Sequence, residues 1–198
     1  MYYSFFLIES YISQYMEGLV NLQSQILAYK KVDLYGLTYI QNVITEEEES
    51  DLLSMINQQA WNTSIKRKTQ HYGYEYGYGN KDIEPTTPIP QWLTGIRDEV
   101  FPEANQIIIN HYLPGQGISP HIDNKKFGDK IVSVSLGSGC YMEFGDGSQQ
   151  YLHPRSCLTL EGDARWKTTH CIASRKRDKV DGKWIPRGER ISLTFRTY

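Results

Sequence analysis

From Gln106 to the C-terminus, apolar and polar residues alternate in short runs broken by Gly, Asp and Pro. The alternation predicts eight strands, at Ile107–Tyr112, Ile118–Asp123, Lys130–Leu136, Cys140–Phe144, Gln150–Leu152, Ser156–Leu160, Thr168–Ile172 and Arg190–Arg196. A period of three to four marks the first thirty residues instead, where Phe5, Ile8, Ile12, Tyr15, Leu19, Leu22 and Ile26 predict an amphipathic helix. Residues 34–44 read as a strand. Thr45 with Glu48 then forms a capping box, opening a helix through Asn57 whose first turn carries the acidic run Glu46–Glu49. Trp92–Phe101 predicts a second short helix, stopped by Pro102. Helices first and many short strands after them predict an α+β, mainly β chain. The expected fold is a double-stranded β-helix, or jelly roll, over 34–198, with 1–33 as an N-terminal helical extension.

Two segments break the alternation. Residues 61–80 lead from Lys66, Arg67 and Lys68 into His71, Tyr72, Tyr74, Tyr76 and Tyr78 with glycines between them, which predicts a hairpin flap or an edge strand. Residues 173–189 are strongly basic and read as a mobile loop.

Charge adds one point. The first sixty residues hold two basic and eight acidic groups and the rest nineteen and fifteen, so a near-neutral chain has a basic body. A polyanionic partner is permitted, not required. Three cysteines without C-x-x-C spacing point away from a disulfide framework or zinc and toward a reducing, intracellular compartment. No apolar run is long enough to span a bilayer, and a soluble monomer is the default expectation.

The chemistry concentrates at Ile107–Asp123. After the Pro114–Gly117 turn, Ser119 precedes a proline and is extended, so His121 and Asp123 share a strand face. One imidazole and one carboxylate are two thirds of the facial triad that holds non-haem Fe(II). His170, on a later strand beside apolar Cys171 and Ile172, is preferred as third ligand over His71, His111 and His153. Arg190 and Arg196 share one face of the last strand with Ser192 and Thr194, opposite Ile191, Leu193 and Phe195. Two inward arginines demand anions, and a small dicarboxylate would satisfy both; an edge strand showing them to solvent is the plainer alternative.

N-x-Y at Asn110/Tyr112, H-x-D at His121/Asp123, G-D-A-R-x4-H ending at His170 and R-x5-R at Arg190/Arg196 together resemble the AlkB family of Fe(II)/2-oxoglutarate dioxygenases. The wording N-x-Y-x-P-G-x-G-I-x-P-H-I-D and the flap H-Y-G-Y-E-Y look most like the family's animal tRNA wobble-uridine hydroxylases. The resemblance implies Fe(II) on His121, Asp123 and His170, with 2-oxoglutarate and O2 as co-substrates. It implies that Arg190, helped by Tyr112, pairs with the distal carboxylate. Arg196 and Asn110 would address the chelating end, with Ser192 alongside.

The implied substrate is a modified, N-alkylated base in single-stranded DNA, RNA or tRNA, whose alkyl group is lost by oxidative dealkylation. Hydroxylation of a tRNA wobble uridine, oxidation of a protein side chain and a non-catalytic nucleic-acid-binding jelly roll are the alternatives. Lys66, Arg67, Lys68 and the 175–179 cluster would meet phosphates, while Tyr72, Tyr74, Tyr76 and Trp166 would stack a base.

Overall fold

The computed structural model describes residues 34–77 and 82–198. The predicted N-terminal helix, the 33/34 boundary and Tyr78 therefore lie outside, or at the edge of, the described residues.

Among the described residues, fourteen strands and three helices follow one another. They are β1 (Leu37–Ile40), α1 (Glu46–Asn57), β2 (Lys68–Tyr72), β3 (Tyr74–Tyr76), β4 (Ile83–Pro85), α2 (Gln91–Val100), β5 (Gln106–Tyr112), β6 (Ile118–His121), β7 (Ile131–Gly137), β8 (Cys140–Phe144), β9 (Gln149–Leu152), β10 (Ser156–Leu160), α3 (Gly162–Trp166), β11 (His170–Ile172), β12 (Arg177–Val180), β13 (Lys183–Pro186) and β14 (Arg190–Arg196). A six-stranded sheet runs β1-β10-β7-β14-β5-β2 and a four-stranded sheet runs β6-β11-β8-β9; every pairing in both is antiparallel. These two sheets are the jelly roll.

The large sheet has two unlike faces because its strands alternate. On one face Ile107, Ile109, Val132, Val134, Leu136, Ile191, Leu193 and Phe195 pack against Leu52 and Ile56 of α1 and Leu93 and Ile96 of α2. α1 starts where the sequence places it. The Thr45 hydroxyl accepts from the Glu48 backbone and the Glu48 carboxylate accepts from the Thr45 backbone, a reciprocal cap worth about 1 kcal/mol. Its acidic turn has a second role, since Arg155 pairs with Glu46 and Glu49.

The other face of the large sheet is polar around Asn110, Ser135 and Ser192 and apolar at Ile108, Ile131, Leu158 and Leu160. Register places Ser192 beside Asn110 and Ser135, and Arg190 beside Tyr112. This face looks across at the small sheet, where Met142, Phe144 and Ile172 form a second apolar cluster with Leu158 and Leu160.

Residues 173–189 are not the mobile loop that their charge suggests. Val180-Asp181-Gly182-Lys183 closes a β12–β13 hairpin, with Asp181 at φ 48° and Gly182 at φ 81°. Asp-Gly is a strong signal for a two-residue hairpin turn, and the density of Lys and Arg around it masked that signal. The hairpin's root is clamped. Buried Asp178 accepts from Arg187 (Nε to Oδ2, 2.6 Å; Nη2 to Oδ1, 2.9 Å) and from Arg175 (Nε to Oδ1, 2.7 Å).

Two smaller corrections concern strand ends. The first strand spans Leu37–Ile40, where its ladder with β10 ends at Cys157; beyond it a single backbone bond, Val43 N–H to the Arg155 carbonyl, continues the contact. β6 ends at His121, so Asp123 lies on the following loop and not on the strand with His121.

Candidate active site

Between the sheets lies a cavity of about 720 Å³. The large sheet lines it with Asn110, Tyr112, Ser133, Arg190, Ser192, Thr194 and Arg196, and the small sheet with Ile118, His121, Met142, His170 and Ile172. His121 and His170 are direct cross-strand partners, which brings their ring centroids to 4.4 Å. Asp123 completes the group: one ligand atom from each of His121, Asp123 and His170 lies within 4.8 Å of the others, close enough to hold one metal ion.

His121 and Asp123 are each held by a neighbour outside the group. His121 donates from Nδ1 to the Ser119 carbonyl at 2.8 Å, which leaves the Nε2 lone pair available to a ligand. His170 presents Nε2 to Asp123 Oδ2 at 3.5 Å. Burial pushes its pKa down to about 4 against the upward pull of Asp123, so the ring is neutral and fit to ligate at neutral pH. Burial alone would raise the Asp123 carboxyl. The charges of Arg196, His170, His121 and Arg165 outweigh that and hold it below the usual carboxylate range.

The loop carrying Asp123 is built by Arg165, which is only 1% exposed. Its guanidinium donates to the carbonyls of Asp123, Asn124, Phe127 and Gly128 at 3.0–3.1 Å. Three carbonyls that leave the ladder after His121, those of Asp123, Phe127 and Gly128, thus regain partners, and that of Asn124 gains a second beside the Phe127 N–H. Arg165 stands within the G-D-A-R motif, and sequence reasoning assigns it no task. The available signal is its place in that motif, five residues before His170.

The two terminal-strand arginines differ. Arg196 donates to Asp123 Oδ1 at 2.5 Å, so its anion is the chain's own carboxylate. Arg190, 4% exposed, donates from Nη2 to Ser135 Oγ at 2.8 Å and lies over the Tyr112 ring. Its Nε and Nη1 are buried without hydrogen-bond partners. A buried guanidinium with two donors unused and a cavity before it fits an anionic guest, as the dicarboxylate expectation requires. Asn110 sits two residues from Tyr112 on the same wall, and its Oδ1 accepts from Arg67 Nε at 2.8 Å.

The expected substrate residues divide. Lys66, Arg67 and Tyr76 line the cavity, Tyr76 against Phe127. Arg67 turns inward to Asn110 and not outward to a phosphate. Lys68, Tyr72, Tyr74 and Trp166 do not line the cavity. Tyr72 is buried in the helix-side core, edge-on to Trp92, because β2 alternates it to the apolar face. Tyr74 packs on Tyr198, Lys68 is exposed at the start of the edge strand, and Trp166 covers the Arg165 guanidinium 4.0 Å away. Of the other histidines, His111 bonds Glu189 and stacks near Trp61, while His71 bonds Thr69 and the Tyr76 backbone. Neither belongs to the His121–Asp123–His170 group.

Comparison with known proteins follows the same lines. The profile of the 2OG-Fe(II) oxygenase superfamily matches residues 15–196. An uncharacterized protein, L905, of Acanthamoeba polyphaga mimivirus is 36% identical over 183 residues, covering 83% of this chain and 85% of that one. The Arabidopsis thaliana "alkylated DNA repair protein ALKBH8 homolog" is 33% identical, with 84% of this chain and 59% of that protein covered. The "tRNA (carboxymethyluridine(34)-5-O)-methyltransferase ALKBH8" of Macaca fascicularis is 34% identical, and the match covers 81% of this chain and 30% of that protein. Among solved structures, OsALKBH1 superposes with a TM-score of 0.67 at 16% identity, over 85% of this chain and 99% of that one, a likeness of fold. The chain therefore belongs to the 2OG-Fe(II) oxygenase superfamily, as an AlkB-like enzyme whose cofactor is Fe(II) and whose co-substrates are 2-oxoglutarate and O2.

Proposed function

We propose that this oxygenase oxidises a modified base in nucleic acid, with Fe(II) held by His121, Asp123 and His170. Bound iron with 2-oxoglutarate and O2 supplies a coupled oxidation, in which the keto acid becomes succinate and CO2 and a substrate C–H becomes C–OH. The chain's own groups do the holding. Ser119 fixes the His121 ring, and Arg196 occupies one oxygen of Asp123 and leaves the other toward His170. Arg190 offers its two unused donors to the distal carboxylate of the keto acid. Arg67 occupies Asn110 Oδ1, so the Asn110 amide NH2 is left for the cavity.

The observation that carries this reading is the pairing of Arg190 with the His-Asp-His group across one cavity of about 720 Å³, large enough for a keto acid with a flipped base beside it. Oxidation of an N-methyl group would give a hydroxymethyl that leaves as formaldehyde, the dealkylation suggested by the motif set and by the name of the Arabidopsis relative. A second reading, hydroxylation of a modified wobble uridine that retains its new oxygen, is favoured by the likeness to the macaque tRNA enzyme.

Mass spectrometry separates them. The loaded enzyme is incubated with N-methylated oligonucleotides and, separately, with tRNA lacking the wobble-uridine hydroxyl. Loss of CH2 supports dealkylation, and gain of oxygen confined to tRNA supports the second reading. Succinate formed with no change in any nucleic acid would redirect the search to protein substrates. No succinate from the loaded protein would count for the non-catalytic alternative.

A further inference from the structure

The β12–β13 hairpin is rooted on the rim of the cavity. At one leg, Ile172 and Ser174 line the cavity; at the other, the chain runs through Arg187 into the lining residue Arg190. Gly117, also on the rim, abuts this root so closely that a Cβ there would lie 2.0 Å from the Ile172 carbonyl. A two-stranded hairpin alone is marginal in water. This one is held by Asp178, 2% exposed, with Arg187 and Arg175 on its carboxylate, by Arg187 Nη1 on the Ala173 carbonyl at 2.7 Å, and by Arg175 Nη2 on Glu143 at 2.8 Å. Two of the segment's cations are therefore consumed inside the protein.

The rest point outward. Register pairs Lys179 with Trp184 and Arg177 with Pro186, so these four side chains share the face opposite buried Asp178. Trp184 is 56% exposed, and the Arg177 guanidinium lies 4.4 Å from its ring centroid. Between Lys176 and Pro186 the only acids are Asp178, which is buried, and Asp181 at the tip. The outward face is thus cationic, with a large aromatic ring braced by a guanidinium. That combination suits a single strand of nucleic acid, in which phosphates meet the cations and a base stacks on the ring. A preformed arm also loses little conformational entropy on binding.

Resting on the nucleic-acid reading above, we propose that Arg177, Lys179 and Trp184 bind the single strand flanking the base that enters the cavity, with Trp184 stacking a neighbouring base. The hairpin then serves as a substrate-gripping arm outside the cavity.

The test compares the full chain with Trp184→Ala and with Arg177→Gln/Lys179→Gln. All three positions are exposed and none belongs to the metal or keto-acid site, so substrate-free succinate production should match the parent. Binding is read by fluorescence anisotropy with a labelled single-stranded RNA, the same sequence as DNA, and tRNA, across salt concentrations. Trp184→Ala should weaken binding roughly tenfold with the salt slope kept. The double glutamine variant should also bind more weakly, with log K against log salt flatter by about 1.4, about 0.7 for each phosphate no longer neutralised. Photocrosslinking of a 5-bromouridine RNA should attach to Trp184. If the parent binds and oxidises nucleic acid while both variants equal it, the hairpin proposal fails and the substrate reading stands. If the parent binds none of the three probes at low salt, both fail. If a polyglutamate peptide binds as tightly and with the same sensitivity to Trp184→Ala, the face is an acidic-peptide site and the proposal is overturned.

Discussion

Arg196 donates from Nη2 to Oδ1 of Asp123 at 2.5 Å, while Oδ2 of the same carboxylate faces His170 Nε2 at 3.5 Å. The two oxygens are thereby assigned different partners before any ion arrives. This explains how a carboxylate only 9% exposed stays ionised, and why a guanidinium at the end of β14 is tolerated in a largely buried position. Asp123→Ala should abolish metal binding, since it removes the anionic member of the group. Arg196→Gln should keep all three ligands but free Oδ1, lowering affinity by about 10- to 100-fold. Titration with Co(II), followed by its visible absorption, reads both. An unchanged affinity in Arg196→Gln would show that the ion pair has no bearing on the site.

Arg190 carries the co-substrate assignment. With Nη2 on Ser135 and two buried donors unused, it should recognise a carboxylate through a planar fork that lysine cannot reproduce. Arg190→Lys is expected to raise the Michaelis constant for 2-oxoglutarate roughly tenfold or more, about 1.4 kcal/mol. Arg190→Met should abolish the rise in Tm that 2-oxoglutarate gives the parent. It should do so without lowering the Tm of the ligand-free protein, because an unpaired buried charge is replaced by an apolar side chain. A parent-like Michaelis constant in Arg190→Lys would remove Arg190 from the keto-acid site.

Arg165 should behave as a structural residue with a functional consequence. Its removal strands the carbonyls of Asp123, Phe127 and Gly128 and leaves that of Asn124 with only the Phe127 N–H. Arg165→Ala should cost about 3 kcal/mol or more in urea unfolding, since each unsatisfied buried group costs about 1–3 kcal/mol and some will find water. Arg165→Lys should recover part of the stability but not the metal affinity, because one ammonium cannot reach all four oxygens. Full recovery of both would mean that charge alone is needed there.

Legibility in the sequence followed the range of the forces involved. Alternation along β5 and β14 showed which face of each strand is apolar, and hence that Asn110, Tyr112, Arg190 and Arg196 share a polar wall. The capping box located α1 because its bonds lie within four residues. Long-range pairing is where the reading ran short. Nothing local tells that Arg196 meets Asp123, seventy-three positions away, or that Arg67 turns inward to Asn110. The hairpin at 177–186 was missed for a different reason. Its Asp-Gly turn was present, but the buried acid that neutralises two of its cations is identifiable only once Asp178 is seen between Arg175 and Arg187.

His71 Nδ1 accepts from the backbone of Tyr76, a cavity-lining residue, and Nε2 donates to Thr69 Oγ1. Burial, then the positive charges of Arg196 and Arg67, push its pKa down from 6.5 to about 4. Above pH 6.5 the ring is neutral in both folded and unfolded chains, and its contribution to stability is fully present. Between 6.5 and about 4 the unfolded chain takes up a proton that the native site refuses, so stability falls with falling pH. Below about 4 the native ring protonates too, Nδ1 can no longer accept, and the bond to Tyr76 is broken. The Tm of metal-free protein should therefore drop between about pH 7 and about pH 4.5, and His71→Gln should make that drop shallower. Part of the slope should survive in the variant, because buried His170 is depressed in the same direction. Identical pH profiles for parent and His71→Gln would show that His71 takes no part in the acid sensitivity of the fold.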